Sequence, residues 1–270
     1  MKLTDLCTAR PCAGEEDMVR IDSLTAIPRW EERTILHEGL LTIAVDGRDA
    51  ARLVCSPQEL SALTLGYLFS SGRIQSAAEV VSVTVNAEGS RAEVKTTRPR
   101  RAGRRKTVPS TGCPPARLEG CAPLPPFSWE PRWVYGLARA FHEGAPLYNE
   151  THGIHSCFLM YEEDIRYVCE DIGRHNALDK AIGRALLDGL DLSQCVLFSS
   201  GRIPADMMEK VIRARVPMLI SNAVPTDKAV ALARQYRVIL ICSARRDAMN
   251  IFSDKSIWQY LPYAKKKINE

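Results

Sequence analysis

Between residues 166 and 253 the sequence alternates short, almost uninterrupted apolar runs with longer amphipathic stretches. RYVCEDIG, CVLFSSG, PMLIS and RVILICSA read as strands, and their unbroken apolar character is that of strands covered on both faces. NALDKAIGRALLDGL, PADMMEKVIRARV and PTDKAVALARQY read as the helices between them. In the first of these, Ala177, Leu178, Ala181, Ile182, Ala185 and Leu186 fall on one helical face. MNIFS reads as a short return strand. Strand and helix in strict alternation require crossover connections, which are right-handed and imply a largely parallel sheet. The fold class expected is therefore α/β for the C-terminal half.

In such a sheet the loops leaving the strand C-termini emerge on one edge, where ligands bind. Four loops qualify: Gly173-Arg174-His175-Asn176, Ser199-Ser200-Gly201-Arg202, Ser221-Asn222-Ala223 with Thr226, and Ser243-Ala244-Arg245-Arg246-Asp247. Three lead into helix N-termini, whose free N–H groups and dipole favour anions, and three carry arginine, which matches phosphate in bidentate geometry. Taken singly, each loop is better explained by helix caps and solvated turns, which account for Asn176, Thr226 and some of the serines. Four such loops on one edge favour a phosphate-bearing ligand larger than phosphate itself. No GxGxxG follows a strand and no GxxxxGK[ST] occurs, which argues against a dinucleotide fingerprint and a P-loop. Asp247 beside the arginines is a candidate for reading the N1 and N2 donors of guanine.

The N-terminal half has a different rhythm. Residues 1–20 read as a mobile leader, with Cys7 and Cys12 in a loose tail. Residues 21–145 read as a smaller α+β domain: two strands about the Asp46-Gly47 turn, a helix with Pro57 in its first turn, a hairpin about Gly89, and a helix through Trp133, Val134, Leu137, Ala138 and Phe141. GIHSCFLMYEEDIRYVCEDIG reads as a second hairpin that opens the C-terminal domain, 146–262, with 263–270 as a tail. No apolar stretch approaches the ~20 residues that span a bilayer, and no signal-peptide core is present, so a cytoplasmic protein with no membrane contact is expected.

Nine cysteines occur without any CxxC pair. Cys55, Cys157, Cys169, Cys195 and Cys242 lie in apolar runs and read as small buried residues. His152, His155 and Cys157 form an HxxHxC run, yet on a strand only His155 and Cys157 share a face, so no protein-bound metal is expected. The irregular stretch 98–128 is different. Arg98, Arg100, Arg101, Arg104, Arg105 and Lys106 precede TVPSTGC, and positive charge near Cys113 favours its thiolate. A solvated linker with an incidental cysteine explains the same residues equally well. The net charge is only +4 and the basic run has no interleaved aromatics, so nucleic acid is not the expected partner.

THGIHSCFL, EDIGRHNALDKAIG, SSGRIPADMMEK, SNAVPT and SARRDAMNIFS, with LGYLFSSGRI nearer the N-terminus, together resemble the formate dehydrogenase accessory sulfurtransferase family (FdhD) across roughly residues 35–255. The resemblance implies a cytidine-deaminase-like three-layer C-terminal domain and a homodimer. It implies a sulfur carrier that takes persulfide sulfur from a cysteine desulfurase and passes it to bis-molybdopterin guanine dinucleotide, the cofactor of formate dehydrogenase. It makes Cys113 the persulfide carrier. It places the cofactor on Ser243 through Ala248, alongside Arg174, His175, Asn176, Ser200, Gly201, Arg202, Ser221 and Thr226. One departure stands out: many members carry a CxxC-type pair, whereas PPARLEG separates Cys113 from Cys121 here, and Pro114-Pro115 stiffens the loop. A non-catalytic carrier of the same cofactor and a deaminase-like hydrolase are the competing readings.

Overall fold

The computed structural model describes residues 1–7, 11–98 and 118–254. β1 (Lys2–Asp5) is followed by a ribbon in which β2 (Ala13–Ile21) pairs antiparallel with β3 (Pro28–Leu36). β4 (Gly39–Val45) and β5 (Arg48–Cys55) turn about Asp46 and Gly47, both at positive φ, as an Asp-Gly hairpin requires. α1 (Leu60–Ser70), β6 (Val80–Val85) and β7 (Arg91–Thr96) complete this half, with strands in the order β1-β6-β7-β4-β5. α1 begins after Glu59, so Pro57 precedes the helix instead of opening it.

The stretch read as a mobile leader contains paired strands at residues 2–5 and from residue 13 onward. β1 lies parallel to β6, and β2 is paired through all of its residues, while the Cys12 carbonyl accepts from His37 N at 2.7 Å. Cys12 is buried. Backbone pairing holds this segment while its acidic side chains face water, and hydropathy does not register that stabilisation.

The remaining elements are α2 (Pro131–Gly144), α3 (Pro146–Thr151), β8 (His155–Tyr161), β9 (Asp164–Asp171), α4 (Arg174–Leu187), β10 (Cys195–Ser199), α5 (Ala205–Ala214), β11 (Met218–Ser221), α6 (Asp227–Tyr236), β12 (Ile239–Cys242) and β13 (Asn250–Ser253). They form a six-stranded sheet in the order β13-β12-β11-β10-β8-β9. β10, β11 and β12 are a parallel core. β8 is inserted antiparallel between β9 and β10, and β13 is antiparallel to β12, which makes the sheet mixed. β9 through β12 still point the same way, so their C-termini share one edge, and His155 at the start of β8 joins them there.

The sheet is covered on both faces. α4 and α5 pack Leu178, Ile182, Met208 and Val211 on one side, against Leu159, Leu197 and Leu219. On the other side Val134, Leu137, Ala138 and Phe141 of α2 meet Phe158, Phe198 and Ile220. By its packing α2 belongs to this sheet, although chain order had grouped it with residues 21–145. Its apolar stripe shows that a partner exists, not which one.

α1 joins the halves. It is buried nearly throughout and lies on the first sheet's core, with its other face against α4. The crossing is backbone on backbone: a Cβ on Gly66 would lie 1.8 Å from the Asp179 carbonyl oxygen, and one on Gly183 would lie 1.9 Å from that of Ala62. Two buried ion pairs flank it. Lys180 Nζ lies 2.8 Å from Asp171 Oδ2. Lys210 meets Asp179, whose other oxygen accepts from Ser70 Oγ of α1 at 2.6 Å.

Candidate functional site

The edge is built outward from Asp171, the last residue of β9. Its Oδ1 accepts from Gly173 N and Asn176 Nδ2, both at 2.9 Å, and its Oδ2 takes Lys180 together with Ser56 N at 3.1 Å. Asn176 Nδ2 also donates to the Val54 carbonyl at 2.7 Å. Every acceptor of this buried carboxylate is engaged, so the turn that presents Arg174 and His175 is fixed to the N-terminal sheet. Asp171 was not singled out from sequence. An acidic residue ending an apolar strand and followed by glycine was the available signal.

The other loops are stitched to one another by backbone bonds. Asn222 N donates to Ser199 O at 3.1 Å, Thr226 N to Ile203 O at 3.0 Å, Ser243 N to Ala223 O at 2.8 Å and Ala244 N to Ser221 O at 3.0 Å. Several expected ligand residues are occupied in the same framework. Ser221 Oγ donates to the Gly201 carbonyl at 2.8 Å, and Ser200 Oγ accepts from Ser156 N at 2.9 Å. Thr226 caps α6, accepting from Ala229 N at 3.3 Å. Arg245 turns back onto Asn222, its Nη1 donating to the Asn222 carbonyl at 2.5 Å. Asn176, Ser200, Ser221, Thr226 and Arg245 thus shape the edge.

The groups left facing the edge are chiefly cationic. Arg202, Arg246, Asp247 and Ala248 are exposed, Ser243 is half-buried at φ 50°, and Ala244 is buried. Arg246 lies 4.0 Å from Glu143, a loose surface pair. Arg174 is half-buried, and its Nε has no hydrogen-bond partner among the described residues. Gly201 is closely packed against Arg174, since a Cβ there would lie 3.0 Å from both Cβ and Cδ of the arginine. His175 is buried, with Nε2 3.0 Å from Asp206 Oδ2, and the imidazole holds that carboxyl below the usual carboxylate range. The starts of α4 and α5 therefore face each other across this pair, with two arginines beside it. That arrangement suits phosphate.

Cys113 lies outside the described residues. Cys121 is half-buried and packs against the core of the C-terminal sheet. Burial pushes the thiols of Cys55, Cys195 and Cys242 up to about 12, and those of Cys157 and Cys169 above their ordinary value as well. These five are expected to stay unmodified when folded protein meets a thiol reagent at neutral pH, and to react once it is denatured. Peptide mapping that found any of them labelled in the folded protein would contradict their burial. Among the described residues no cluster of three or more His, Cys, Asp or Glu is placed to hold a metal. His152 ends α3 and stacks edge-on over Tyr148. No helix of the described residues is long and apolar enough to cross a membrane.

Comparison with known proteins adds a family to this geometry. The model of the FdhD/NarQ family matches residues 36–257. The chain is 29% identical over 236 residues to the sulfur carrier protein FdhD of Wolinella succinogenes, covering 83% of this chain and 82% of that one. It is 28% identical to the protein of the same name from Methanothermobacter thermautotrophicus, covering 88% and 96%. A crystal structure assigned as a formate dehydrogenase accessory protein from Desulfotalea psychrophila superposes with a TM-score of 0.77 at 24% identity, over 91% of this chain and 99% of that one.

Proposed function

The chain belongs to the FdhD/NarQ family, and from that premise we propose that it is a sulfur carrier serving formate dehydrogenase maturation, with the strand-end edge as cradle for its cofactor substrate. That substrate is bis-molybdopterin guanine dinucleotide. The observation carrying the cradle is the unpartnered Arg174 Nε at the start of α4, packed against Gly201 in the loop that leads to Arg202. Arg174, Arg202 and the starts of α4 and α5 hold the pyrophosphate, and Asp247 reads the guanine edge. Stitching between loops keeps them in place before the ligand arrives, which lowers the ordering cost of binding.

Cys113 is the sulfur carrier in this reading. Its thiolate attacks the terminal sulfur of a persulfide on a cysteine desulfurase. The new S–S bond forms on Cys113 as the donor's S–S bond breaks, and the donor leaves as thiolate. The basic residues Arg98 to Lys106 favour the attacking thiolate and draw in the anionic substrate. The eight described cysteines are all free thiols, which accords with work in the cytoplasm, and the family resemblance supports a homodimer.

Incubation with a desulfurase and cysteine is expected to add one sulfur, a gain of about 32 Da, to the Cys113 peptide; the Cys113→Ala protein gains none there and no longer supports formate dehydrogenase maturation. A Cys113→Ala protein that matures the enzyme normally reduces the role to carrying the cofactor. Wild-type protein that fails to bind guanine nucleotide removes the cradle.

A further inference from the structure

His155 is at the cradle without a role in the reading above. It opens β8 on the same face as Cys157 and Leu159, the face covered by α4 and α5. Its Nδ1 lies 3.4 Å from Ser200 Oγ. A Cβ on Gly201 would lie 3.3 Å from the same nitrogen, so the ring, Arg174 and the Gly201 backbone are packed as one unit. The charged and titratable groups facing it come from three directions. Asp171 is its cross-strand partner on β9, Arg174 and His175 stand at the start of α4, and Arg202 lies in the loop after β10.

We propose that His155 is a proton-accepting contact of the cradle: a nucleoside diphosphate bound at this edge places a proton on its ring. This rests on the cradle reading. Burial first, and then the neighbouring arginine Arg174, hold the ring below its ordinary value in the free protein, so it waits neutral. Nδ1 then accepts from the Ser200 hydroxyl. Phosphate oxygens arriving beside Arg174 and Arg202 cancel the positive field that depresses the ring. The ring gains a proton at Nδ1, the Ser200 hydroxyl turns from donor to acceptor, and its hydrogen becomes available to the ligand. Ser200 Oγ has the capacity, since a hydroxyl carries two lone pairs and one is taken by Ser156 N.

The linkage has a definite sign. A group whose pKa rises on binding takes up protons, so affinity strengthens as pH falls from above the bound-state value towards the free-state value. Each unit of rise corresponds to about a tenfold gain in affinity across that window. The phosphates of the ligand titrate nearby, so the quantity that isolates His155 is the difference between wild type and His155→Gln.

Calorimetry of GDP binding to the full chain at pH 7, in two buffers of different ionisation enthalpy, gives the proton uptake directly. Wild type is expected to take up about half a proton or more beyond His155→Gln, and to lose affinity between pH 6 and pH 8 about five- to tenfold more steeply. Equal uptake by the two proteins overturns the assignment while leaving the cradle intact. Absence of GDP binding by wild type overturns the cradle and this inference with it. Imidazole NMR on the wild type serves if the variant does not fold. With five histidines in the chain, the His155 ring is expected to titrate at higher pH with GDP than without, and an unmoved titration overturns the proposal.

Discussion

Gly183→Ala is expected to lower the melting temperature of the protein by roughly 6–12 °C, corresponding to about 3 kcal/mol for a chain of this size. A single methyl has this effect because of what it would meet. The added Cβ would lie 1.9 Å from the Ala62 carbonyl oxygen and 2.7 Å from its carbon, and backbone atoms cannot rotate aside as a side chain can. α1 and α4 must part, and the gap forfeits close contacts along both helices. Separation also stretches the Ser70–Asp179 hydrogen bond that joins α1 to α4, with Lys210 attached to the same carboxylate. Alanine's better helix propensity returns only about 1 kcal/mol. Gly66→Ala meets the reciprocal obstacle on α1, 1.8 Å from the Asp179 carbonyl oxygen, and is expected to behave alike. Gly136 in α2 has nothing within 4 Å of its would-be Cβ, so Gly136→Ala is expected to stabilise slightly. Thermal unfolding of the three variants by circular dichroism checks this, and a Gly183→Ala protein that melts with wild type would show that the helices do not cross there.

Asp171→Ala is expected to cost about 3–5 kcal/mol and to weaken guanine-nucleotide binding in whatever fraction remains folded. Lys180 and Asp171 are both fully buried, so removing the carboxylate strands an ammonium that keeps, among the described residues, the Glu170 carbonyl at 3.0 Å as its hydrogen-bond partner. The hydrogen bonds from Gly173 N, Asn176 Nδ2 and Ser56 N are lost with it, and these fix the turn carrying Arg174 and His175. Asp171→Ala combined with Lys180→Met removes the stranded charge and is expected to recover much of the stability. It should not recover nucleotide affinity, because the turn remains without its anchor. Denaturant titration and GDP binding on the two proteins separate these contributions. Stability unchanged in Asp171→Ala would mean that the pair is not buried in solution.

The second variant pair exposes how differently the two kinds of information were written in the chain. The apolar runs at 195–199, 218–221 and 239–242, with amphipathic helices between them, stated that a layered sheet would form and which edge its loops would share. Period and burial are local properties, and they survive translation from sequence to structure. The arginines on that edge were visible for the same reason. Thr226 was readable both as a ligand residue and as a helix cap, and its hydroxyl caps α6. Asn176 and Ser221 were equally ambiguous, and both are taken up by framework hydrogen bonds.

What the chain did not state locally is who meets whom at a distance. Nothing in residues 2–5 signals that their backbone completes a sheet with residues 82–85. The apolar stripe of α2 does not say which sheet it covers, and two glycines 117 positions apart do not announce that they touch (Gly66 and Gly183). Asp171 looks like any strand-end acid until Lys180, Asn176 and Ser56 converge on it. The sequence by itself determined the strand-end edge and its positive charge, because periodicity and helix starts are set within a few residues of one another. Only the tertiary structure decided which of those side chains are taken up within the protein, because their hydrogen-bond partners sit on other elements, 20 residues away for Ser221, 44 for Ser200 and 122 for Asn176.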